Sequence, residues 1–168
     1  MALIKHGSVV DGDTFTLIAD ASPLSETGDV IVGLSRLLSG EAEQAARKGR
    51  LGVRVDPEDE VTLVAQVLSK VALVAVNFPK FGDGRGYSKA RLLRERYGYQ
   101  GEIRAVGEVL ADQLQYMLRC GIDAFELSAG KDVAAALRAL RDFSVTYQAA
   151  TDDPRPLYLR VARGHKTV

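Results

Sequence analysis

The segment Phe81-Gly82-Asp83-Gly84-Arg85-Gly86-Tyr87-Ser88 concentrates the residue types that could hold a charged ligand. Three glycines at alternate positions, Gly82, Gly84 and Gly86, leave backbone amides bare and permit φ values that other residues avoid. Ser88 is suited to cap a following helix. An anion placed here would meet amide hydrogens, the positive end of a helix dipole and the guanidinium of Arg85. Arg91, in the first turn of that helix, is unfavourable against its dipole unless an acid or anion lies nearby. The competing reading is a tight turn that needs glycine, with Asp83 and Arg85 paired on the surface. As a cofactor motif the segment is weak. Gly82-x-Gly84 would need a third glycine where Tyr87 stands to make a dinucleotide fingerprint, and no Gly-Lys-Ser/Thr follows to make a P-loop.

Two more charges fall within apolar strand-like runs. Arg104 and Glu126 could point into a barrel interior or a cleft, where a charge is either paired or used. The structural alternative is an Arg104–Glu126 or Arg104–Glu102 pair. Asp83, Tyr87 and Glu126 are thus the candidates for moving a proton. Gly82, Gly84, Arg85, Gly86, Ser88, Arg91 and Arg104 are the candidates for holding an anion. Cys120 closes a helix, where the dipole disfavours a thiolate, and reads as a structural thiol.

Composition narrows the chemistry. The chain has 168 residues, one cysteine and two histidines, His6 and His165. One cysteine excludes an intrachain disulfide, an all-thiolate zinc site and a cysteine-held iron–sulfur cluster. Histidines near the two ends argue against a Ser-His-Asp triad or a multi-histidine metal site. No metal site and no cofactor are therefore expected. Lys plus Arg equals Asp plus Glu, 22 each, which speaks against a nucleic-acid-binding chain. No apolar run has the length or flanks of a signal peptide or a membrane span, so a cytoplasmic location is expected.

The elements that would position these residues alternate. Strands are predicted at 30–34, 51–55, 71–78, 101–106 and 122–127. Helices are predicted from Glu41 to Lys48, after Asp56-Pro57, from Ser88 to before Gly98, from Val109 to Cys120 and from Lys131 to Phe143. Asp56 is placed to cap the second of these helices, with Pro57 at its first position. Before the first strand, Val9-Val10 and Thr14 to Leu17 flank an Asp11-Gly12 turn and predict an N-terminal β-hairpin cap over residues 1–29. Alternating βα units with short connections predict one α/β domain over 1–150 with a mostly parallel sheet, followed by a loose tail over 151–168. Uniform spacing favours a partial, TIM-like (β/α) barrel over a doubly wound open sheet. An incomplete barrel leaves strand edges that favour a homodimer.

Several of these stretches resemble a known family. They are Phe78-Pro79-x-Phe81-x-Asp83-Gly84-Arg85-Gly86-Tyr87-Ser88, Gly101-Glu102-Ile103-Arg104-Ala105-Val106-Gly107, Asp112-Gln113-Leu114, Arg119-Cys120-Gly121-Ile122-Asp123-Ala124-Phe125-Glu126 and Asp142-Phe143-Ser144. Over Leu51 to Gln148 the chain resembles the bacterial family called domain of unknown function 934, whose members carry the label of oxidoreductases in sulfite reduction. Phe15 stands where the family has a tryptophan. The resemblance implies a link to sulfite reductase or other sulfur-assimilation proteins, but no catalytic residue. Sulfite reduction takes six electrons through a siroheme and an iron–sulfur cluster, which one cysteine cannot ligate. The expectation is therefore an accessory protein that binds a small oxyanion or phosphorylated ligand at the Gly82–Ser88 loop. The alternatives are a stand-alone enzyme, an oxidoreductase acting on a small anionic substrate, and a structural partner of sulfite reductase.

Overall fold

A computed structural model describes residues 1–24, 26–44 and 48–160. The protein is a mixed α/β structure built on one eight-stranded sheet. Its strands are β1 (Ala2–Lys5), β2 (Ser8–Val10), β3 (Phe15–Leu17), β4 (Asp29–Gly33), β5 (Leu51–Val55), β6 (Leu73–Phe78), β7 (Glu102–Gly107) and β8 (Ala124–Leu127). The helices are α1 (Leu34–Leu38), α2 (Glu41–Gln44), α3 (Val61–Val67), α4 (Arg85–Glu95), α5 (Leu114–Arg119), α6 (Val133–Ala139) and α7 (Leu157–Arg160).

From β3 to β8 the strands are parallel and lie in sequence order. Right-handed crossovers that always step the same way put every crossover helix on one face of the sheet. A doubly wound sheet needs a reversal of strand order, and none occurs here. On the helix face Val32, Val53, Val74, Val76, Ile103 and Phe125 pack beneath Val64, Ala90, Leu93, Leu114 and Met117 in the main core. The strands alternate, so Ile31, Leu73, Ala75 and Val106 form a second, smaller cluster with Phe15 against it.

The chain itself shows that the sheet curls. β2 and β3 are its two outer strands, yet only Asp11–Thr14 joins them. In a flat sheet of eight strands the edges would lie about 34 Å apart, at about 4.8 Å per step. The link from Val10 to Phe15 reaches at most about 17 Å. The sheet therefore rolls into a half-barrel whose helix-free face is concave.

Three local expectations are overturned. Val9-Val10 does not pair with Thr14 to Leu17; β2 instead pairs antiparallel with β1 around His6 and Gly7. Both turn residues have positive φ, 49° and 73°, the twist that suits a two-residue hairpin. Asp56 caps no helix. Residues 56–59 close a turn in which the Asp59 carboxylate accepts the Asp56 N–H at 2.7 Å, and α3 begins at Val61. Ser88 is not the cap of α4, which begins three residues earlier with Gly84 at its N-cap position.

At the other end, residues 150–160 lie against the body. Thr151 N–H donates to the Arg119 carbonyl at 3.1 Å, and Arg160 donates to the Thr146 carbonyl from α7. Residues 45–47 of the predicted helix after Glu41, residues 161–168 of the predicted tail, and His165 lie outside the described residues.

Candidate functional site

The loop after β6 is placed at the carboxyl ends of the parallel strands, as its position between β6 and α4 requires. Two of its glycines are not required by their backbone conformation. Gly84 has φ −85° and Gly82 has no positive φ, so neither needs a left-handed backbone. Gly86 lies inside the first turn of α4, where a Cβ would stand 2.6 Å from Cζ of Phe78 and 3.0 Å from Val76. The helix thus crosses the strand at a distance only glycine permits.

Asp83 is buried and Arg85 half-exposed, and the two are tied together. The Asp83 carboxylate accepts the Arg85 backbone N–H at 3.2 Å and its guanidinium at 3.0 and 2.7 Å. These hydrogen bonds hold the Asp83 carboxyl down at about 2, against the opposing effect of burial. The guanidinium also reaches the exposed Glu58 at 3.0 Å. Nearby, the buried Lys89 ammonium donates to the Asp59 carbonyl, and burial lowers its pKa. Glu108 accepts the Phe81 N–H at 2.9 Å. The amides of Gly82 and Gly84 make no hydrogen bond among the described residues.

A second polar cluster lines the same end of the sheet. Arg54 from β5 reaches Asp56 at 3.0 Å and Asp20 at 3.1 Å, and Asn77 from β6 donates to Asp56 at 2.7 Å. Gly33 and Gly107 make room for it. A Cβ on Gly33 would meet the Asp20 carboxylate at 2.5 Å, and one on Gly107 would meet Asn77 Oδ1 at 2.7 Å. No local signal in the sequence marks Asp20 and Asn77, whose partners are distant in the chain.

Arg104 does not join the loop. It enters the hollow of the half-barrel, 2% exposed, and grips Asp13 with both terminal nitrogens at 2.6 and 3.1 Å. Its Nε donates to Glu102 at 2.7 Å, and Glu102 in turn accepts from Lys5 at 2.6 Å. The expected Arg104–Glu102 pair is present, while Asp13 is an additional partner 91 residues away. Burial acts to raise the Asp13 carboxyl, but the hydrogen bonds and charge of Arg104 carry it below its ordinary value. Two cations approach the Phe15 ring, Arg50 at 4.8 Å and Arg104 at 5.8 Å from its centre.

Glu126 shares that hollow. No hydrogen bond holds its carboxyl among the described residues. Burial raises its pKa, opposed by Arg104 and the Met1 α-ammonium and aided by Asp13. It borders two adjoining cavities of about 370 and 260 Å³, both also lined by Met1 and Phe15.

The remaining candidates lie apart. Tyr87 packs between Phe78 and Tyr116, each ring centre 5.1 Å away, and burial raises its phenol pKa. Ser88 is exposed on the second turn of α4, and Arg91 pairs with Glu95 one turn on at 2.9 Å. Asp83, Tyr87 and Glu126 therefore occupy three separate environments. Cys120 is buried, and burial raises its thiol pKa. Another cleft, about 520 Å³, lies elsewhere, beside Arg94 and the segment from Ala150 to Pro154. Its Arg94 is committed to the carbonyls of Tyr99, Gly101 and Gly121. Among the described residues no group of three or more His, Cys, Asp or Glu side chains is placed to hold a metal ion, and no helix is long and apolar enough to cross a membrane.

No curated protein matches the chain at a significant level. A family described as bacterial protein of unknown function (DUF934) matches residues 52–158, which span β5 to β8, the Gly82–Ser88 loop, Arg104 and Glu126. This match covers well over half of the sequence, and the chain belongs to that family.

Proposed function

We propose that the protein is an accessory component of assimilatory sulfite reduction that binds a small oxyanion or phosphorylated ligand at the loop before α4. The observation that carries the binding reading is the Arg85–Glu58 contact. Asp83 is a fixed part of the loop, but Glu58 is three-quarters exposed and held only at its tip, 3.0 Å from Arg85. An oxyanion would take the place of that carboxylate, on the exposed edge of the guanidinium and near the unbonded amides of Gly82 and Gly84. The half-barrel reads as part of a TIM-like barrel, a fold whose sites gather at the carboxyl ends of its strands.

The pathway reading rests on the family resemblance. It carries with it a cytoplasmic location and association with sulfite reductase or another sulfur-assimilation protein. A homodimer formed through the short outer strands β2 and β3 fits the same reading.

Calorimetric titration with sulfite, sulfate and phosphate tests the site. Arg85→Ala should weaken binding at least about tenfold, the worth of one charge-assisted hydrogen bond. Glu58→Gln should tighten it, because the competing carboxylate is gone. Absence of binding in both the wild type and Glu58→Gln refutes the site. For the pathway, a strain lacking the gene should grow slowly on sulfate or sulfite and normally on cysteine. Equal growth on all three, with no second copy present, refutes that assignment.

A further inference from the structure

The hollow of the half-barrel carries a feature that the loop before α4 does not explain. Its interior charges nearly balance. Lys5 and Arg104 supply two cations, and Glu102 and Asp13 supply two carboxylates bonded to them. Arg50, at the edge, is matched by Asp29 at 2.7 Å. Glu126 is the carboxylate without a bonded cation. It faces Arg104 of β7, Asp13 of the β2–β3 link and the α-ammonium of Met1, yet none of them bonds to it.

The two cavities that meet at Glu126 differ in character. The smaller one, about 260 Å³, is bordered by Phe15, Leu17, Ile31, Ala75 and Val106. The larger is lined by Asp11 and Asp13 as well. A ligand lying across the junction would meet an apolar wall on one side and an unmatched carboxyl at the other end. A carboxylate in such a place discriminates strongly for a cationic hydrogen-bond donor, because desolvation makes an unpaired charge costly and a matched one tolerable. A second anion would be repelled by Glu126 and Asp13.

We propose that this hollow binds a small organic amine, its ammonium on Glu126 and its apolar body against Phe15, Ile31, Ala75 and Val106. The site is separate from the loop around Arg85, so either can fail without the other. Benzylamine, benzyl alcohol and benzoate share one apolar body and differ in charge, which makes them suitable probes for the full-length protein. Titration followed by methyl NMR should show benzylamine binding at least about tenfold tighter than the alcohol, a difference of about 1.4 kcal/mol, with benzoate weakest. The shifts should centre on the methyls of Leu17, Ile31, Ala75 and Val106. Glu126→Gln should erase the preference for the amine, and Arg85→Ala should leave it intact. Equal affinity for amine and alcohol, tighter binding of benzoate, no binding of any probe, or shifts centred elsewhere would each overturn the proposal. The wild-type comparison and its shift map decide the matter independently of any variant.

Discussion

Replacing Arg104 with methionine should be among the most damaging single changes to this protein. Arg104 is 2% exposed and makes three hydrogen bonds to two carboxylates. Methionine fills similar space but leaves Asp13 without its bonded cation, beside Glu126, which has none. Breaking a buried ion pair by removing one partner costs about 3–5 kcal/mol. That is a large part of a typical stability of about 5–15 kcal/mol. For a chain of this size it lowers the melting temperature by about 6–20 °C, at about 2–4 °C per kcal/mol.

The pH dependence should change sign at Asp13. In the wild type its pKa is depressed, so it contributes stability above its unfolded pKa and loses it as pH falls through the folded value. In Arg104→Met, burial is the largest remaining influence on Asp13, opposed by the backbone N–H groups of Phe15 and Thr14, so its pKa should rise, as burial already raises that of Glu126. A carboxyl with a raised folded pKa gains stability as pH falls toward its unfolded value. Lowering pH from about 7 to about 5 should therefore recover part of the loss in the variant, approaching the unfolded carboxyl range of about 4. Urea denaturation at both pH values measures this, and Arg104→Met/Asp13→Asn should be more stable than Arg104→Met alone. A loss under about 1 kcal/mol with no recovery at the lower pH would refute the argument, since it would match an exposed and screened pair.

Other expectations follow from close contacts. Gly86→Ala should cost about 1–3 kcal/mol by forcing α4 away from Phe78 and Val76, as overpacking does, and chemical denaturation would show it. Gly107→Ala should cost about 2 kcal/mol or more, because φ is +92° and the new Cβ would lie 2.6 Å from the Phe78 carbonyl oxygen; thermal melting checks this. Glu126→Gln should stabilise the protein at neutral pH, with the gain fading as pH falls through the raised carboxyl pKa and gone below the unfolded value. Cys120→Ala should cost about 1 kcal/mol and leave anion binding intact, and a selective loss of binding in a folded variant would contradict a structural role.

Much of the architecture was legible because burial on a parallel sheet leaves a local trace. β5 was placed at its observed bounds, and β4, β6, β7 and β8 within two residues at either end, since runs such as Leu73–Phe78 are apolar without interruption. The Asp83–Arg85 pair was also within reach, being two residues apart. Helix starts were less legible. Gly86 reads locally as a loop residue because glycine is a poor helix former, whereas its place is set by Phe78, eight positions away on another element.

Sequence alone thus determined the class of fold and the segment joining β6 to α4, because periodicity and turn chemistry act between near neighbours. Only the tertiary structure decided how the sheet closes and what its hollow contains. The pairing of β2 with β1 rather than with β3, the reach of Arg104 to Asp13 across 91 residues, and the isolation of Glu126 all depend on the curl of eight strands. That curl comes from the sum of many crossovers stepping the same way, and no short window of sequence records it.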